Sequence, residues 1–287
     1  MKIAASTSCA AVIGHPISHS ISPELHNRIY QALGLDIVYL AFNISKDNFA
    51  QAIKGLGALG FIGFNVTIPY KETIIPYLDS IDPAAAAIGA INTVKIDNGK
   101  LIGYNTDGLG FLDSLTINNI YCSNRRILII GAGGSARAIG ICLIEHNPRE
   151  IIILNRRMDR SKQLALDINK FAKRSIAKAV NSVPEDVDII INTTPLGMWP
   201  NVEQSPLEGY VFNSKTVVCD IIYNPYMTTF LKRASGQGCL TVNGLGMLIG
   251  QGVKAIEIWA DKKVDSSIIT MVYDELRNKL KQQNSIS

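Results

Sequence analysis

Short apolar runs alternate with stretches of helical periodicity from residue 10 to about residue 104. Residues 10–13, 37–42 and 61–66 are brief, apolar and rich in β-branched or aromatic side chains, and they read as strands. Residues 48–59 repeat apolar positions at three- and four-residue spacing and predict a helix; a second helix is predicted to begin near Pro69. Residues 93–96 and 101–104 form a hairpin pattern through Asn98-Gly99, a turn pair that tolerates positive φ. The alternation then restarts, with candidate strands at Arg126–Ile130, Glu150–Leu154, 175–180, 187–191 and 216–222 and helices at 135–146 and 159–172. From Gly244 onward the pattern is almost wholly helical, and residues 282–287 read as a frayed end. This rhythm of βαβ units predicts an α/β chain with mostly parallel sheets.

Length and composition narrow the reading. At 287 residues the chain has room for two domains, because single cores rarely grow past roughly 250 to 300 residues. A hydrophobic share of 47% with 18% charged residues fits a well-buried globular protein. The net charge of +4 is spread out, with no basic block longer than a pair, so neither a nucleic acid nor a membrane surface is an expected partner. Five cysteines without Cys-x-x-Cys spacing read as reduced core residues of a cytoplasmic protein. His15 and His19 have no cysteine or acidic cluster nearby, and no metal site is expected. The first residues make a poor signal peptide, and no run of 18 apolar residues offers a membrane span.

Chemistry concentrates where strands end. Residues 14–27, Gly-His-Pro-Ile-Ser-His-Ser-Ile-Ser-Pro-Glu-Leu-His-Asn, pack three serines and three histidines behind the first strand. Open α/β sheets bind ligands at that edge. The segment also reads as a helix start, with Ser22 as cap, Pro23 at the first helical position and Glu24 near the positive end. On this segment alone, Ser22 is a cap and Ser18 and Ser20 are turn residues, or the serines bind a ligand.

Residues 127–130 run directly into Gly131-Ala132-Gly133-Gly134-Ser135-Ala136 and then a helix, the context that gives a glycine pattern meaning. Gly131 serves the tight turn, Gly133 lets the backbone approach a pyrophosphate, and Ala136 permits close helix packing. Amides at the helix start would face phosphate charge. After the next strand an NAD site places a carboxylate for the ribose 2′-hydroxyl, whereas this chain has Asn155-Arg156-Arg157 with Arg160 one turn on. Planar, permanently charged guanidinium groups suit a 2′-phosphate, so NADP is the expected cofactor. The alternative is a solvated helix start, which the helix dipole opposes.

Asn65-Val-Thr67-Ile-Pro69-Tyr-Lys71 leaves the strand at 61–66, and Asn105-Thr106-Asp107-Gly108 leaves the hairpin. Lys71 would fall in the first turn of the predicted helix, where the dipole disfavours its charged form. A general acid/base works best near the operating pH, and a nearby carboxylate such as Asp107 would hold and orient an ammonium. Taken singly, Lys71 could be a surface lysine and Asp107 a helix cap. Asn92-Thr93, Asn192-Thr193-Thr194-Pro195 and Tyr223-Asn224-Pro225 also sit at strand ends, and Asn243-Gly244-Leu-Gly246-Met247 precedes a helix carrying Gln251.

With these motifs in this order the chain resembles the shikimate dehydrogenase family, from Gly14 to about Trp259. The resemblance implies two α/β domains. Residues 1–107 and 244–287 would form the substrate-binding domain, the C-terminal helices returning to it, and residues 108–243 a Rossmann-type NADP-binding domain. It implies NADPH-dependent reduction of 3-dehydroshikimate to shikimate, by a monomer or homodimer. Substrate contacts would be Ser20, Ser22, Thr67, Lys71, Asn92, Asp107, Tyr223 and Gln251, with Lys71 and Asp107 as the catalytic pair. The serines would meet the substrate carboxylate, and Asn92 with Gln251 its ring hydroxyls. Cofactor contacts would come from residues 131–136, Asn155, Arg156, Arg157, Arg160, Thr193, Ile221, Gly244 and Met247. Arg157 stands where the common family pattern has threonine. A paired arginine there also resembles the quinate/shikimate branch, whose members can use NAD. A third alternative is a regulator that binds NADP without catalysis, against which Lys71 and Asp107 together argue.

Overall fold

The computed structural model describes residues 3–284. It divides into two compact units: residues up to Thr106 with Ile249–Leu276, and Asp107–Leu248 with the segment from Arg277 onward.

In the first unit β1 (Ser8–Gly14), α1 (Ser22–Ala32), β2 (Ile37–Asn43), α2 (Phe49–Ala58) and β3 (Gly63–Val66) follow the predicted alternation. The two-residue β4 (Ser80–Ile81), α3 (Pro83–Ile88), β5 (Thr93–Asp97) and β6 (Lys100–Tyr104) complete it. The six strands lie in the order β2-β1-β3-β5-β6-β4. β2, β1 and β3 are parallel, while β5 runs antiparallel to both β3 and β6. The hairpin forms as predicted because Asn98 (φ 50°) and Gly99 (φ 77°) adopt the left-handed region. β1 lies inside the sheet, and Ala10, Ala11, Val12 and Ile13 are all buried. A core of Ile13, Ile53, Phe64, Ile74, Ile91 and Val94 covers one face.

Two local expectations fail here. No α-helix starts at Pro69: the chain makes turns and a three-residue 3-10 segment, Ile75–Tyr77. A helix would need the Lys71 carbonyl to accept from Ile75 N. That carbonyl instead accepts from Ile91 N at 2.8 Å, and Ile75 N turns to the Glu72 carbonyl. Lys71 therefore does not lie at a helix N-terminus, and no dipole of such a helix acts on it. Ser22 is the first residue of α1 and not its cap, a place taken by Ile21, although Pro23 does fall in the first turn.

The second unit opens with α4 (Asp107–Ile117), for which the sequence offered only a possible cap at Asp107, followed by β7 (Arg126–Ile130), α5 (Gly134–Leu143), β8 (Glu150–Leu154), α6 (Met158–Ala172) and β9 (Ala177–Val180). β10 (Ile189–Asn192), β11 (Val217–Asp220), α7 (Thr229–Gly236) and β12 (Leu240–Val242) continue it. α7 and β12 were unforeseen. All six strands are parallel, in the order β12-β11-β10-β7-β8-β9. Reversal of strand order between β7 and β10 is the switch point of a doubly wound sheet. α8 (Leu245–Ala260) and α9 (Ser266–Asn284) supply the predicted helical end. α9 runs on to Asn284 where fraying was expected from residue 282, and the rest of that expected tail lies outside the described residues.

Late in α8, Trp259 donates from Nε1 to the Val94 carbonyl at 2.9 Å. Gly63 admits that indole, since a Cβ there would collide with its Nε1.

Candidate active site

Register sets the first group of polar residues at one edge. Ile13 lies opposite Val66, Asn65 opposite Thr93, and Thr93 opposite Tyr104. The ends of β1, β3 and β6 and the start of β5 therefore share a side of the sheet, and with them the loops bearing Ser20 and Ser22, Thr67 and Lys71, and Asn92. Two of these loops touch. His15 N donates to the Ile68 carbonyl and Thr67 N to the Ile13 carbonyl, both at 3.0 Å, and a Cβ on Gly14 would press on Thr67 Cγ2 at 2.5 Å. Ser20 Oγ accepts from Ser22 N at 3.3 Å, so the first serine hydroxyl organises the second. Ser20, Ser22, Thr67, Lys71 and Gln251 are all half-buried.

Asn92 is 2% exposed and lies at the centre of a polar network. Its Oδ1 accepts from Thr106 N at 2.8 Å and Thr93 Oγ1 at 3.0 Å, and its Nδ2 donates to Thr106 Oγ1 at 3.0 Å and Gln251 Oε1 at 3.5 Å. Beneath it, Asn65 donates to the Asn92 carbonyl and to Thr93 Oγ1, both at 3.0 Å, while Tyr39 OH donates to Asn65 Oδ1 at 2.6 Å. Each partner fixes which way the next amide faces. Tyr39 and Thr106 had no assigned role in the sequence reading. Their signal, a polar side chain that ends up fully buried, exists only once the chain is folded.

Of the histidines near this edge, His15 pairs through Nδ1 with Asn43 Oδ1 at 3.0 Å. His26 stacks on Tyr39 with ring centroids 3.9 Å apart; burial pushes its imidazole down to about 3. No group of three or more metal-ligating side chains occurs among the described residues.

In the second unit the register repeats this logic. Ile130, Leu154, Asn192 and Asp220 end neighbouring strands at one level. Gly131 (φ 115°), Asn155 to Arg157, Thr193 and Ile221 follow at once. Thr193 Oγ1 donates to the Ile130 carbonyl at 2.7 Å. Gly133 is exposed at the start of α5, and a Cβ added there would meet nothing within 4 Å, which leaves its backbone open to a ligand. Ala136 is fully buried against the sheet. Arg156, Arg157 and Arg160 are exposed at the start of α6. Arg157 forms an ion pair with Asp159 at 2.9 Å, and Asn155 Nδ2 donates to the Arg157 carbonyl at 3.1 Å.

Asp107 is 5% exposed at the start of α4. Burial, then Glu145 and Asp107, push the Cys142 thiol up to about 12, which keeps it unreactive. Asp220 ends β11 and is 1% exposed. Its carboxylate accepts from Ile222 N and Asn192 Nδ2, both at 3.1 Å, and from Thr228 Oγ1 at 2.8 Å. Burial outweighs these donors and raises it to about 6.

Comparison with known proteins places both units. A family described as "Shikimate dehydrogenase substrate binding domain" matches residues 12–94, and one described as "Shikimate / quinate 5-dehydrogenase" matches residues 116–223. The shikimate dehydrogenase (NADP(+)) of Moorella thermoacetica is 41% identical over 281 residues, 96% of this chain and 95% of its own. The chain belongs to the shikimate dehydrogenase family. A crystal structure of another shikimate dehydrogenase, in complex with NADP+, superposes with a TM-score of 0.90 at 40% identity, covering 96% of this chain and 97% of that one. The shikimate dehydrogenase of Thermus thermophilus, crystallised with NADP(H) and shikimate, gives 0.84 at 32% identity, covering 93% and 99%. The expected fold class, an α/β substrate domain with a Rossmann-type domain, agrees with these relatives.

Proposed function

We propose that this chain catalyses the reversible, NADP-dependent reduction of 3-dehydroshikimate to shikimate, a step toward aromatic amino acids. The observation that carries the reading is the chemistry gathered at one strand-end edge within each unit. One gathers serines, Thr67, Lys71 and Asn92, and the other joins an open glycine turn to arginines after the next strand. The residues fit the dinucleotide: Gly133 leaves a bare backbone at the α5 N-terminus, where phosphate is favoured, and Arg156, Arg157 and Arg160 suit a 2′-phosphate.

Site roles follow the chemistry of each group. Ser20 and Ser22 donate to the substrate carboxylate; Thr67, Asn92, Tyr223 and Gln251 orient its ring hydroxyls and carbonyl. NADPH, when bound at Gly131 to Ala136, Asn155 to Arg157, Arg160, Thr193, Ile221, Gly244 and Met247, supplies hydride. Lys71, as ammonium, gives its proton to the oxygen of the carbonyl being reduced, and in reverse the neutral amine takes it back. Asp107 keeps that ammonium oriented. Residues 1–107 with 244–287 then act as the substrate domain and 108–243 as the cofactor domain. All five cysteines are free, in keeping with a reducing cytoplasm, where the enzyme works as a monomer or homodimer. No helix among the described residues is long and apolar enough to cross a membrane.

A second reading, a quinate/shikimate enzyme that also accepts NAD, is favoured by one observation. Asp159 engages Arg157 and brings a carboxylate to the start of α6. Incubation with 3-dehydroshikimate and NADPH tests the first proposal: shikimate and NADP+ should form in equal amounts, and an absence of shikimate would overturn it.

A further inference from the structure

We infer that Asp220 is a positioning residue that holds the two loops on the β10–β11 side of the cofactor site in one arrangement. This rests on the cofactor reading proposed above. In a doubly wound sheet each half takes one mononucleotide, with the pyrophosphate between. The glycine turn after β7 and the arginines after β8 assign the adenosine half to β7, β8 and β9. The nicotinamide half is left to β10, β11 and β12.

The loops of that half are tied to one carboxylate. Oδ1 of Asp220 accepts from Asn192 Nδ2 at the end of β10 and from Ile222 N in the loop after β11, both at 3.1 Å. Oδ2 accepts from Thr228 Oγ1 at 2.8 Å, at the far end of the same loop. Each tie is extended. Asn192 Oδ1 accepts from Thr194 N at 3.0 Å and Thr194 Oγ1 at 2.7 Å, which folds the loop beginning at Thr193. The Ile222 carbonyl accepts from Gly244 N at 2.9 Å, and Gly244 is a glycine because a Cβ would collide with the Ile221 carbonyl. Thr228 Oγ1 also caps α7, accepting from Leu231 N at 3.3 Å.

Asp220, Asn192 and Thr228 are each no more than 1% exposed, so the carboxylate does not face a ligand itself. Its effect reaches Thr193, Ile221, Tyr223, Gly244 and Met247 through the backbone. The groups that donate to Asp220 all lie outside the adenosine half, where Gly131 N bonds to the Leu154 carbonyl at 2.8 Å and the Asn155 amide to the Arg157 carbonyl.

The test compares NADPH with 2′-phospho-ADP-ribose, which lacks nicotinamide, by equilibrium titration on wild type, Asp220→Ala, Asp220→Asn and Thr228→Val. Loss of buried hydrogen bonds predicts that Asp220→Ala weakens NADPH by about tenfold or more while the fragment changes less than about twofold. Asparagine keeps the Oδ1 acceptor, and its amide can donate to Thr228 Oγ1, so Asp220→Asn should recover most of the NADPH affinity. Thr228→Val cuts one tie only and serves if Asp220→Ala fails to fold; it should weaken NADPH selectively by a smaller factor. Equal weakening of both ligands, or no weakening of NADPH in any variant, would overturn the role of Asp220. Failure of wild type to bind the fragment would overturn the cofactor reading together with it.

Discussion

The Thr193 hydroxyl occupies the space into which a Cβ on Gly131 would project, while it donates to the Ile130 carbonyl at 2.7 Å. The glycine turn after β7 and the loop after β10 thus close on each other at the switch point. Gly131 also has φ 115°, a conformation that other residues adopt only under strain. Gly131→Ala should destabilise the fold by about 1–3 kcal/mol, read by urea unfolding, and weaken NADPH binding. Unchanged stability would mean that the turn relaxes without cost.

Lys71→Ala should lower kcat by about 10²- to 10⁴-fold and leave KM within a few fold, the usual worth of general acid/base catalysis. Steady-state kinetics with 3-dehydroshikimate decide it. A change confined to KM would make Lys71 a substrate-binding residue.

Arg156→Ala combined with Arg157→Ala should weaken NADPH by about tenfold or more and NADH far less, since charge-assisted bonds to the 2′-phosphate exist only for the former. Equal losses in fluorescence titrations with the two cofactors would remove the arginines from the 2′-phosphate site.

His26 confers acid lability. Its folded pKa is lowered from 6.5 to about 3 by complete burial, with neither ring nitrogen partnered. Below pH 6.5 the unfolded chain binds a proton that the folded chain refuses, so stability falls as pH drops from 6.5 toward 3. At pH 5 the loss from this group is roughly 2 kcal/mol relative to neutral pH. Urea unfolding at pH 5 and pH 7.5 should show a drop smaller by that amount in His26→Phe. An equal drop in both proteins would assign the lability elsewhere.

Much of this architecture was legible because its signals are local. Asn98-Gly99 needs only two residues to specify a turn, and the glycine spacing of residues 131–136 needs only the strand before it. The helix expected near Pro69 does not form, although Tyr70 and Ile74 stand four apart as on a helix face. In the folded chain both are buried, Tyr70 OH donates to the Ile44 carbonyl at 2.6 Å, and the Lys71 carbonyl is taken by Ile91. That competitor lies twenty residues away in sequence. The Tyr39, Asn65 and Asp220 networks were hidden for the same reason: each depends on strands that meet only after folding. Motifs marked the edges where ligands belong, and tertiary hydrogen bonds decided how those edges are held.

Steady-state rates for shikimate and quinate, each with NADP+ and NAD+, decide both substrate and cofactor. The highest kcat/KM should belong to shikimate with NADP+. Comparable turnover of quinate with NAD+ would make the chain a quinate/shikimate enzyme, and no cofactor reduction with either acid would mean that it is not a shikimate dehydrogenase.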